Sequence, residues 1–86
     1  MILHLGNDVY VTVKNIIGIF DLDNTTVSKH TRQFLSQYEK DGKIVLATND
    51  LPKSFVLVNN NNNQVYLSQM STATLQRRLN NTLSFK

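Results

Sequence analysis

A chain of 86 residues without one cysteine has to hold its fold by burial alone, which constrains it more than any motif it carries. On the scaling of surface with size, such a chain hides only about 60 to 65% of the surface it exposes when unfolded. Disulfides are unavailable, and two histidines with no cysteine do not make a structural zinc site. Association with further copies is the remaining way to enlarge a marginal core. The expectation is one domain over residues 1–86 that works as a homo-oligomer.

The apolar residues alternate in two periods. "ILHL" reads as a short strand, Gly6 to Asp8 as a turn, and "DVYVTV" as a second strand with Val9, Val11 and Val13 facing a core. "NIIGIFDL" is almost continuously apolar, which predicts a strand buried on both faces, with Gly18 marking a bend or a close backbone approach. Val27, Thr31, Phe34, Leu35 and Tyr38 then recur at helical spacing, with Ser and Thr residues at 25–28 available as N-cap and Gly42 just past the end. Lys29, Arg32 and Lys40 fall on the outer face of that helix, where they could touch phosphates but are read first as a solvated face. "KIVLAT" and "KSFVLV" read as strands around a turn at 49–52, where Pro52 belongs at a strand start or an edge. "QVYLSQ" is the last strand. Leu75, Leu79 and Leu83, after Ser71 and Thr72, make a second amphipathic helix with Arg77 and Arg78 off its apolar stripe. Short connections favour antiparallel pairing, so the order ββ-β-α-ββ-β-α predicts a small α+β domain with a mostly antiparallel sheet and two amphipathic helices.

Asn59 to Asn63 lies between two runs rich in β-formers and reads as a mobile hairpin loop, because asparagine tolerates the left-handed conformations that turns require. The longest apolar runs are about four residues, so no signal peptide or membrane span is expected, and a cytoplasmic location follows. Nine Lys and Arg against six Asp and Glu leave a net charge of +3, which favours polyanionic partners. His4 and His30 have no companion at metal-ligand spacing. No metal, cofactor or small-molecule ligand is inferred.

One stretch argues for enzyme chemistry. "IIGIFDLDNTTVSKH" ends an apolar run in Asp-x-Asp-x-Thr and resembles the nucleophile motif of haloacid-dehalogenase-type phosphatases, and "GKIVLATND" looks like their second motif. That resemblance would make Asp21 the nucleophile, Asp23 the general acid/base and Thr48 a phosphate ligand. The chemistry also needs a stabilising lysine, a further carboxylate pair for Mg²⁺ and a doubly wound sheet to carry them. Only Glu39, Asp41 and Asp50 remain as acids after Asp23, and none follows a strand in an acidic pair. The expectation is no enzyme, with a phosphatase kept as the third reading.

Nearly the whole chain resembles another family, the RemA/RemB regulators of bacterial extracellular matrix and biofilm genes. "HLGNDVYVTVKNIIGIFD" at 4–21, "PKSFVLV" at 52–58 and "STATLQRRL" at 71–79 carry the resemblance, in that family's order and spacing. It implies a non-enzymatic, cytoplasmic transcriptional regulator that binds the DNA backbone as a ring of identical subunits. By position Lys53 matches one basic site of that family and Lys14 lies one residue from another, so the resemblance implies both as phosphate contacts, and Arg77 and Arg78 are added from the second helix. The family's paired arginines fall where this chain has Asp50 and Leu51. That departure keeps a second reading open, an oligomeric scaffold of the same fold without direct DNA contact.

Overall fold

A computed structural model describes residues 1–22 and 28–83. Strands β1 (Ile2–Gly6) and β2 (Val9–Thr12) form an antiparallel hairpin. Gly6 (φ 135°) ends β1 where its register against β2 shifts, and Asn7 (φ 46°) opens the two-residue turn with left-handed backbone. His4 fastens the turn, its Nε2–H donating to the Asn7 carbonyl at 2.7 Å while its ring stacks on Tyr10 at 4.6 Å. Val11 is buried and Val9 and Val13 pack beside it, as the alternation requires. A short 3₁₀ turn (Val13–Asn15) then redirects the chain into β3 (Ile16–Asp21).

Helix α1 (Lys29–Lys40) follows, then β4 (Ile44–Leu46), β5 (Ser54–Asn60), β6 (Asn62–Ser68) and α2 (Thr72–Leu83). The larger sheet has the order β3-β5-β6-β4. Pairing is antiparallel between β3 and β5 and between β5 and β6, but β4 joins β6 in parallel. The turn at 49–52 therefore does not close a hairpin between its flanking strands. The more favourable local hairpin is β5–β6, and β6 takes the place beside β5 that β4 would have filled. The asparagine run is mostly strand: Asn59 and Asn60 finish β5, Asn62 and Asn63 open β6, and only Asn61, at φ 70°, makes the turn.

Strand β3 corrects the expectation of burial on both faces. It is an edge strand, with Ile17 54% and Phe20 43% exposed. A bulge at Ile17 shifts its register against β5, and Gly18 sits where a Cβ would lie 2.7 Å from the Phe20 ring. Its apolar run is thus more than the protomer itself can cover.

One face of the sheet makes the main core. Val56, Val58 and Tyr66 meet Leu3, Leu5 and Val11 of the small hairpin, Ala47, and Leu75 of α2. Polar groups inside it are satisfied locally. Ser68 Oγ–H donates to the Leu5 carbonyl at 2.6 Å and accepts from the Met70 N–H, and Ser54 Oγ–H donates to the Met70 carbonyl at 2.8 Å. Ser68 thereby ties β1 to β6 across the layers.

The other face takes α1, where Phe34 lies 6.1 Å from Phe55 and Phe55 stacks on Phe20 at 4.8 Å. Both helices open on the same device: Ser28 accepts from the Thr31 N–H and Ser71 from the Thr74 N–H, each at 3.1 Å. Val27, expected on the α1 stripe, lies outside the described residues, as does the Leu83 side chain expected on the α2 stripe. Unlike α2, whose Leu75 is fully enclosed, α1 has no buried residue.

Helix α1 stops at Gly42 (φ 70°), whose N–H donates to the Glu39 carbonyl while the Lys43 N–H donates to that of Tyr38. A Cβ there would meet nothing within 4 Å. Gly42→Ala is therefore expected to cost only the conformational penalty of a left-handed alanine, about 1 kcal/mol in urea unfolding.

Candidate nucleic-acid interface

The four basic residues singled out from the sequence are all exposed, but they do not form one cluster. Lys14 sits in the 3₁₀ turn just before β3, beside a shallow groove shared with Met1, Thr12 and Val13. Lys53 lies one residue before β5, with its backbone held from both sides: its N–H donates to the Ser68 carbonyl and its carbonyl accepts from the Leu22 N–H, both at 2.8 Å. Ile16 opposes Val58 and Asp21 opposes Ser54 in the β3–β5 pair, so Lys14 and Lys53 flank its opposite ends. At the rise of an extended strand that is a separation of roughly 20 Å. Arg77 and Arg78 project from α2, which packs against β1 and β3. Lys14 and Lys53 are therefore separated point charges and do not converge on one site.

The segment that departs from the family pattern is well anchored. Thr48 is buried, donating its hydroxyl to Gln69 Oε1 at 2.7 Å and accepting from the Asp50 N–H at 3.0 Å. Asp50 and Leu51 are held outward by this turn, and Leu51 is 87% exposed. The same contacts tell against the phosphatase reading. Thr48 is engaged within the fold, and Asp21 ends an antiparallel edge strand of a sheet that is not doubly wound. Asp23 lies outside the described residues.

One feature escaped the sequence reading, and a second was named there but read as a solvated face. The first is the pairing of apolar edges: Ile17 and Phe20 are exposed on β3, Leu46 is exposed on β4 at the opposite edge, and Leu51 is exposed in the loop that leads from β4 to β5. A strand's neighbours in the sheet decide which side chains stay uncovered, and composition cannot supply that order. The second is the outer face of α1, where Lys29, Arg32, Gln33, Ser36, Gln37 and Lys40 line one shallow surface groove. Helical spacing was a sufficient signal for this stripe, but its charge was assigned to solvent.

Among the described residues, no helix is long and apolar enough to cross a membrane. Residues 2–79 match the family described as RemA-like, extracellular matrix regulatory protein A-like. The chain is also 36% identical over 78 residues to extracellular matrix regulatory protein B of Bacillus subtilis (strain 168), covering 91% of this chain and 89% of that protein.

Proposed function

The chain belongs to the RemA-like family of extracellular matrix regulatory proteins, and from that premise we propose that it is a non-enzymatic, DNA-associated transcriptional regulator of extracellular matrix and biofilm genes. In this reading residues 1–86 act as one cytoplasmic domain, and identical copies close head-to-tail into a ring whose repeated lysines and arginines track the DNA backbone. The observation that carries it is the family match over nearly the whole chain, joined to basic side chains spread roughly 20 Å apart on an exposed surface.

The physics supports a ring over a lone protomer. Two or three phosphate contacts bind weakly, whereas repeating them around a closed assembly raises apparent affinity by about 10² to 10⁴. Apolar side chains on opposite sheet edges suit a heterologous contact, which closes when its rotation divides the circle. Candidates for base-edge contact are few, so DNA shape and curvature would carry specificity.

The test is a fluorescence-anisotropy titration against an AT-rich duplex from low to physiological salt. Tight binding with log affinity falling steeply against log salt is expected, and Lys53→Glu should weaken it and flatten the slope. Absence of binding at low salt would leave the second reading, an oligomeric scaffold for protein partners. The exposure of Leu51, where the family's pattern carries arginine, favours that alternative.

A further inference from the structure

We infer that the outer face of α1 is a second contact surface for the backbone of double-stranded DNA, distinct from the sites at Lys14, Lys53, Arg77 and Arg78. It rests on the proposed reading of the protein as DNA-associated, and adds a surface to it.

Position is the first ground. Thr31, Phe34, Leu35 and Tyr38 are the half-buried residues of α1, and Phe34 is within ring contact of Phe55 in the sheet. The stripe from Lys29 through Arg32 and Ser36 to Lys40 lies on the opposite side of the helix by its spacing and is exposed at every position. The twelve residues of α1, eleven rises of the helix, extend it over roughly 16 Å.

Chemistry is the second ground. The groove is lined by three cations, two amides and a hydroxyl, and by no acid. These are the side chains that contact phosphate and sugar. Acids do flank its C-terminal end: Gln37 Nε2–H donates to Asp41 Oδ1 at 3.2 Å, and Glu39 is on the adjoining face. Lys29 and Arg32 therefore carry more of the surface's charge than Lys40.

What the stripe lacks narrows the partner. It has no aromatic ring on which unpaired bases could stack, which disfavours single strands. It has no apolar side chain to insert among lipid tails, since those of α1 turn to the sheet, which disfavours a membrane surface. A regular array of phosphates read without base contacts is what remains.

The experiment compares the wild-type full chain with Lys29→Gln/Arg32→Gln/Lys40→Gln. These substitutions keep side-chain length and helix propensity, and circular dichroism verifies the fold. Against a duplex across a salt series, the variant should lose at least about tenfold in affinity at 0.1 M salt, and its salt slope should fall by about two to three per engaged protomer. Lys29→Gln/Arg32→Gln should account for most of that change. Wild-type binding with an unchanged slope in the triple variant would overturn the α1 surface and leave the regulator reading intact. No wild-type binding would overturn both. If the variant loses binding only to anionic phosphatidylserine vesicles, the surface is a lipid contact and the inference fails.

Discussion

Gly6→Ala is expected to cost about 2–6 kcal/mol of folding stability, although the added group is a single methyl. Gly6 closes β1 at φ 135°, where L side chains are strained, and an added Cβ would overlap the carbonyl oxygen of Ala47. The strain alone costs about 1–3 kcal/mol. Overlap with a backbone atom adds about as much, because Ala47 is itself held, its N–H donating to the Leu67 carbonyl at 2.8 Å. A domain of this size has roughly 4–13 kcal/mol to lose, at about 0.05–0.15 kcal/mol per residue. The same substitution at Gly42, also left-handed but with open space around it, isolates the conformational part. Urea unfolding of both variants should give a deficit for Gly6→Ala about three times or more that of Gly42→Ala. Equal deficits would mean that the hairpin can shift away from β4, and that the two layers are less firmly locked than the Ser68–Leu5 hydrogen bond implies.

Residues whose environment is local were the legible ones. Ser28, Gly42 and Ser71 announce helix ends because a cap is a contact between near neighbours. The valines of β2 announce their face because alternation needs only the strand itself. The run Asn59 to Asn63 was read as a hairpin loop, and the turn does fall within it at Asn61, but the length of the loop was overstated, since asparagine's tolerance of turns says nothing about where pairing stops. What could not be read was sheet order. The apolarity of "NIIGIFDL" fits a central strand or an edge strand waiting for a partner, and only the sheet order, which gives β3 the single neighbour β5, decides between them.

The same limit applied to the candidate interface. Lys14 and Lys53 were identifiable as exposed charges, but their placement at opposite ends of the β3–β5 pair depends on register. Leu46 was visible as part of the strand "KIVLAT" and Leu51 as a departure from the family's arginines, but the exposure of neither was legible. The place of Leu46 at the edge opposite Ile17 and Phe20, with Leu51 in the loop that follows, is a property of the folded sheet, and it is where the proposed assembly is most open to attack.

Leu46→Lys/Leu51→Lys should therefore separate assembly from charge. Both side chains are well exposed in the protomer, at 64% and 87%, so their replacement should change its stability by no more than about 0.5 kcal/mol. At a subunit contact the two ammonium groups would lose their water against the next copy's apolar edge, and lysine on an edge opposes association. Sedimentation should show the wild type as a closed oligomer and the variant as a protomer. DNA affinity should then fall by about 10² to 10⁴ with the loss of multivalency. The sign makes this decisive, because the variant carries two more positive charges per chain. If each protomer bound DNA alone, those charges would tighten binding and steepen its salt dependence. Weaker binding by a more basic protein is explained by the lost ring, whereas tighter binding by a dissociated variant would show that the protomer is the DNA-binding unit.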